Sequence, residues 1–262
     1  MVGFKLNDKL LRTLGYEEKN LLLYMCFVSL GLHAHESYGV LIMDTSGSMR
    51  TPRHDGSSRC EYSILQAKSK VFRFFYQLHG NKIDIRTFNS GGNIISITGG
   101  FVDKFDAAMN ALNSLSGKQC QGATALAEAM CLAADDLRFN YSNKAKQGDR
   151  LMVFGSTDGD ENNSPRDICG GSDWQAKVEA TYLDLPQVEF NATIFIGNVG
   201  LLSDSENKYG DYGDLYNMPP NGFTALSTPT TFEFLKKLAK KTGGQVETVK
   251  DSDVGDGSND PW

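Results

Sequence analysis

The sequence predicts an α/β fold: a Rossmann-like, doubly wound, mostly parallel sheet with one antiparallel edge strand and helices on both faces. Three observations predict it. Short apolar runs alternate along the chain with longer stretches of helical periodicity, the pattern of strands wrapped by helices. Two of those runs, 38–43 and 151–154, are apolar throughout, as strands covered on both faces are. Each gives way to polar residues that include an acid, Asp44 after the first and Asp158 after the second. In open α/β sheets the carboxyl edge of the strands is where ligands bind.

The chain divides into an N-terminal extension (1–36), one domain (37–251) and a polar tail (252–262). Within the extension, residues 1–20 are polar and mixed in charge, and 21–32 form an apolar run. That run has the length of a signal-peptide core, with Ala34 as a cleavage point. Glu17 and Glu18 directly upstream, and the long leader, speak against it. The alternative is an extra helix, with Phe4, Leu6, Leu10, Leu11 and Leu14 at roughly helical spacing.

The first strand is followed by a polar loop, 50–59, and a helix on which Ile64, Ala67, Val71, Phe74 and Leu78 share a face. Residues 82–88 alternate as a strand does, and 93–98 follow after a Ser-Gly-Gly turn, which predicts a hairpin and hence the antiparallel edge. Helices are expected at 105–115 and from Leu126, then the strand at 151–154. Ser172-x-x-Gln175 reads as a capping box opening a helix that Pro186 halts. A strand is expected at 188–196 and a long irregular segment at 197–227, which should rim the ligand edge with Tyr209, Tyr212 and Tyr216 as candidate anchors. The last helix should start at Thr228-Pro229, with Pro in its first position. Gly243-Gly244 should end it, and a final strand should span 245–249.

A net charge of −6 argues against general nucleic-acid binding, whose footprint is basic. No run is long and apolar enough to predict a stable membrane span. Cys60, Cys120, Cys131 and Cys169 follow the apolar run that holds Cys26. A secreted chain would pair them, with Cys60–Cys120 the expected bridge, whereas Cys131 in its Ala-rich helix reads as a small buried residue. A zinc site from three cysteines and His54 lacks any Cys-x-x-Cys spacing. Asn140, Asn162 and Asn191 begin glycosylation sequons, which discriminate little here.

Three motifs carry the chemistry. Asp44-Thr45-Ser46-Gly47-Ser48 ends the first strand, and its alternating spacing aims three oxygen-bearing side chains at one point, with Gly47 giving the turn its freedom. Thr124 stands before a helix, and Asp158 follows the later strand. Asp, Ser and Thr are hard oxygen ligands, suited to Mg²⁺, Mn²⁺ or Ca²⁺. Taken singly, each has a blander reading as a helix cap or turn. Asp44 and Asp158 on one edge should repel each other when no cation is bound. Asp160 and Glu161 read either as an extra cation rim or as a solvated loop.

This order of motifs resembles the metal-ion-dependent adhesion site of von Willebrand factor A-type domains, which include integrin inserted domains. The resemblance covers 37–251 in outline and is sharp only at the three motifs. It implies a divalent cation at the top of the sheet, with Ser46, Ser48 and Thr124 as hydroxyl ligands and Asp44 and Asp158 binding directly or through water. It further implies a monomeric, non-catalytic adhesion-type module, secreted or at the cell surface. In such a module an open position on the metal receives an Asp or Glu carboxylate from a protein partner. The alternative is an intracellular (cytoplasmic) scaffold subunit of the same fold in a multiprotein assembly. A Mg²⁺-dependent hydrolase is less favoured, because position 46 is Ser where dehalogenase-type phosphatases need a second Asp. Gly155-Ser156 departs from the family, which usually keeps an apolar residue there.

Overall fold

The computed structural model describes residues 35–159, 161–197 and 230–253. The expectations for residues 1–34, for Asp160, for the irregular segment with Tyr209, Tyr212 and Tyr216, and for the tail beyond Asp253 lie outside the described residues.

Among the described residues, six strands form one sheet: β1 (Ser37–Asp44), β2 (Gly80–Phe88), β3 (Ile94–Ser96), β4 (Arg150–Thr157), β5 (Val188–Ile196) and β6 (Val246–Lys250). Their order is β3-β2-β1-β4-β5-β6. β3 pairs antiparallel with β2 at one edge, as the Ser-Gly-Gly turn predicts, and every other pair is parallel. The chain winds outward from β1 in one direction and from β4 in the other. These two strands therefore flank the point where an open sheet splays its loops apart and makes a ligand crevice.

Among the described residues, five helices cover the sheet: α1 (Arg59–Gln77), α2 (Phe105–Asn113), α3 (Leu126–Ala145), α4 (Trp174–Leu183) and α5 (Thr231–Thr242). All eight residues of β1 are buried. Because strand side chains alternate, Val40 and Ile42 join a cluster with Met130 and Leu137 of α3, Tyr182 of α4 and Leu238 of α5. Leu41 and Met43 join the opposite cluster, with Val71 and Phe74 of α1 and Leu112 of α2. Each of these apolar side chains contributes roughly 1.5–3 kcal/mol by leaving water. Phe74 packs closely against β1 because position 39 is Gly: a Cβ there would sit 2.9 Å from the ring. A third cluster, Met49, Cys60, Tyr62, Cys120, Phe195 and Val249, packs the ends of β5 and β6 against the loop after β1. Among the described residues no helix is long and apolar enough to cross a membrane.

Two helix starts differ from expectation. α5 begins at Thr231, not at Pro229, because Thr230 and Glu233 form a reciprocal capping box. The N-cap of α4 falls on Asp173, which makes no side-chain capping bond, so the Ser172 box does not form.

Two disulfides cross-link the chain, Cys60–Cys120 as expected and Cys131–Cys169. The second corrects the reading of Cys131 as merely a small buried residue. It also removes the zinc alternative, since all four described cysteines are consumed. Both bridges sit close to the motifs. One ties the start of α1 to the loop before Thr124, and the other ties the first turns of α3 to the loop after Asp158.

Candidate metal centre

The candidate residues converge where β1 and β4 end. Asp44 is 1% exposed, and both its oxygens are engaged. Oδ1 accepts the backbone N–H of Ser46 at 2.7 Å, and Oδ2 accepts the hydroxyl of Thr157, the last residue of β4, at 2.6 Å. The first bond closes a tight turn through the side chain, the usual way an Asp re-aims the backbone two residues on. That turn starts the short 3₁₀ segment Gly47–Arg50 and brings the Ser46 and Ser48 hydroxyls to 3.1 Å of each other. Ser48 Oγ in turn donates to Asp158 Oδ1 at 2.6 Å. Asp44 is thus joined to Asp158 through two serines.

The second motif enters by backbone bonds. Gln121 N–H donates to Thr45 O, and Gly47 N–H donates to Gly122 O at 2.9 Å. Gly122 adopts φ +88°, a region where glycine carries no steric penalty. Asn162, from the loop after Asp158, accepts the Thr124 N–H at 2.9 Å, and Thr124 O accepts the N–H groups of Asn162 and Asn163. The Thr124 hydroxyl lies beside Gly159: a Cβ at position 159 would sit 3.5 Å from Thr124 Oγ1 and 3.7 Å from Ser48 Oγ. The structure therefore brings Asp44, Ser46, Ser48, Thr124 and Asp158 together at one edge.

The blander reading of the hydroxyls as helix caps does not hold. The N-cap of α3 is Ala125, with no side-chain cap, and Ser46 likewise caps nothing with its side chain. Glu161 serves α3 instead. Its carboxylate accepts the N–H of Ala127, the N–H of Asn163 and both the N–H and hydroxyl of Ser164. An acid there also suits the positive end of the helix. Glu161 is thus no loose solvated acid: its carboxylate is tied to the start of α3 and to its own loop.

One strong contact has no forerunner in the sequence reading. Arg59, the first residue of α1 and 6% exposed, donates from Nη1 to Asp158 Oδ2 at 2.7 Å. Its Nε and Nη2 grip both oxygens of Asp251, just past β6, at 2.9 and 2.8 Å. Asp158 therefore does not face Asp44 uncompensated: Arg59 offsets part of the repulsion expected between the two acids. Burial, followed by the charge of Asp158, still raises the pKa of Asp44 to about 7, against the bonds from Thr157 and Ser46 that lower it. For Arg59, burial opposes the charge, but hydrogen bonds and charge from Asp251 and Asp158 outweigh it and raise the guanidinium pKa. Thr157, Asn162, Arg59 and Asp251 are the residues that motif reasoning missed. A cation at the N-terminal end of a helix, where the macrodipole disfavours it, was the one available signal.

Chemically, the edge offers oxygen alone: two carboxylates and three hydroxyls, a donor set for a hard cation rather than for zinc. Among the described residues, no group of three or more His, Cys, Asp or Glu side chains is placed to hold a metal ion. The Thr124 hydroxyl has no hydrogen-bond partner among the described residues, so it is available to a ligand. The residues present fit a Mg²⁺-type ion.

Residues 40–160 match the von Willebrand factor type A domain. The matched stretch contains all five candidate residues. No curated protein matches the chain. Among solved structures, the SpRpn10 VWA domain is similar at 10% identity and a TM-score of 0.49, over 84% of this chain and 90% of that one. A mutant of the PilB minor pilin from Streptococcus sanguinis is similar at 10% identity and a TM-score of 0.47, over 82% of this chain. The pilus adhesin SpaC from Lactobacillus rhamnosus GG is similar at 16% identity and a TM-score of 0.45, over 67% of this chain. The chain spans 57% of that pilin and 27% of that adhesin. The six-stranded sheet with one antiparallel edge strand is VWA-like.

Proposed function

We propose that this VWA-like domain is a non-catalytic, divalent-cation-dependent module for binding another protein. Asp44, Ser46, Ser48, Thr124 and Asp158 would hold Mg²⁺, with Mn²⁺ or Ca²⁺ as substitutes. The cation would supply an electrophilic position for an Asp or Glu carboxylate of the partner. The observation that carries this reading is the convergence of three hydroxyls, none of them used as a helix cap, with two buried carboxylates. Around them, Asn162 fixes the Thr124 backbone, Thr157 and Ser46 fix Asp44, and Ser48 and Arg59 fix Asp158. A side-chain set held in this way is organised before any partner arrives, which lowers the cost of binding.

The two disulfides support an oxidising compartment, and with it the secreted or cell-surface reading over the cytoplasmic scaffold. VWA domains are in general interaction modules, which supports the non-enzymatic reading.

A displayed peptide library tests the proposal. Selection on the immobilised full chain in Mg²⁺, with elution by EDTA, is expected to enrich peptides that share an Asp or Glu. Replacing that acid by its amide should abolish binding. Enrichment that survives EDTA, or that shows no acidic position, would sink it.

A further inference from the structure

Arg59 breaks a local rule. It places a positive charge in the first turn of α1, at the end of a helix that favours negative charge. It is also buried, and a buried guanidinium is retained only with partners. Both costs are met by two acids from distant parts of the chain, Asp158 and Asp251. The division of donors is uneven. Asp251 takes Nε and Nη2 in a two-pronged grip, and Asp158 takes Nη1 alone. Asp251 is the anchor, and Asp158 is the side chain that can change partner. Asp158 Oδ2 accepts from Arg59 and Oδ1 from Ser48, so each oxygen already shares its charge with a donor before any cation arrives.

Resting on the cation reading above, we propose that Arg59 is a tethered counter-charge that competes with the divalent cation for Asp158 and so sets the affinity of the site. Without a cation, the guanidinium neutralises Asp158 and keeps the edge folded. When a cation arrives, Arg59 opposes it in two ways: it repels a second positive charge close by, and it holds one of the carboxylate oxygens. Asp251 decides how strongly, because it absorbs part of the guanidinium's charge. Asp251 is itself bound into the fold. Its N–H donates to Ile196 O, and its carbonyl accepts the His54 N–H. Cation affinity is thereby tied to how β6 and the loop after β1 close over the edge.

The proposal makes two predictions of opposite sign, which a merely structural role for Arg59 would not. Replacing Arg59 and its anchor by apolar groups (Arg59→Met with Asp251→Leu) removes the competitor and leaves Asp251 no stranded charge, but Asp158 loses its ion pair, so the metal-free double variant should melt lower than wild type and recover on binding a cation. Asp251→Asn leaves Arg59 in place but removes the charge that shares it, so Arg59 bears harder on Asp158. The experiment is a calorimetric Mn²⁺ titration of the full chain, with a melting curve for each variant to establish that it is folded. The double variant is expected to bind Mn²⁺ at least about tenfold more tightly than wild type, and Asp251→Asn several-fold more weakly. A folded double variant that binds no more tightly than a wild type that does bind would overturn the competition and leave the cation reading standing. Both variants weakening together would also overturn it, since that is what loosening of a structural brace produces. Absence of binding in wild type and double variant alike would overturn the cation reading and this inference with it.

Discussion

Removing the Cys60–Cys120 bridge should cost more stability than any single contact at the site, and the size follows from its place in the chain. The bridge joins residues 60 apart in sequence, between the start of α1 and the loop that leads to Thr124. In the chain-entropy account, a loop of that length restricts the unfolded ensemble by about 4 kcal/mol. For a domain of this size each kcal/mol is worth roughly 2–4 °C in melting temperature. Cys60→Ala with Cys120→Ala should therefore melt about 8–16 °C lower by scanning calorimetry in the absence of reductant. Both sulfurs are buried in the cluster with Met49 and Phe195, so lost packing adds to the fall. Site geometry should survive in part, because Gln121 still bonds Thr45 and Gly47 still bonds Gly122. A fall below about 4 °C would refute the reasoning, since the bridge would then constrain little that the folded loops do not already constrain.

Two further outcomes are expected. Asn162→Ala leaves the Thr124 N–H without its acceptor and should cost about 1–3 kcal/mol, whereas Asn162→Asp keeps an acceptor and should recover the loss; thermal melts of the three proteins decide it. In EDTA the protein should lose stability as pH rises. Asp44 carries a pKa raised to about 7 when folded, so its contribution is full below its unfolded value near 3.8 and is lost as pH rises through about 7. Asp158 is the charge facing it, with Arg59 behind Asp158. Between about pH 5 and 8 the wild type should lose about 2–3 kcal/mol of stability, read as a falling melting temperature, and the melting temperature of Asp44→Asn should stay flat by comparison. Equal slopes in the two proteins would remove Asp44 as the source.

The parts of this protein that were legible in its sequence are those that burial dictates. A strand covered on both faces must be apolar throughout, and β1 and β4 read that way. The switch point follows from their adjacency, and the edge hairpin follows from its glycine turn. Asp44, Ser46, Ser48, Thr124 and Asp158 could be placed at one edge because each stands at the end of a strand or just before a helix. What stayed hidden depends on how loops pack. Arg59 meets acids 99 and 192 residues away, and no periodicity or spacing encodes such a pair. Cys131 sits on a buried helical face, where helical spacing alone cannot separate a packed thiol from a bridged one. Glu161 looked like one acid of a solvated loop, yet it caps α3 from a loop 34 residues away.

The central claim is that these side chains hold a cation, and a thermal melt tests it most directly. A cation that binds only the folded chain adds about 2.7 kcal/mol when present at a hundredfold excess over its dissociation constant. For this domain that is a rise of about 5–11 °C in melting temperature with Mg²⁺, reversed by EDTA and absent in Ser48→Ala and Thr124→Ala proteins that still fold. A wild-type melting temperature that does not move at saturating Mg²⁺ or Mn²⁺, or a Ser48→Ala protein that shifts as far as wild type, would contradict the claim.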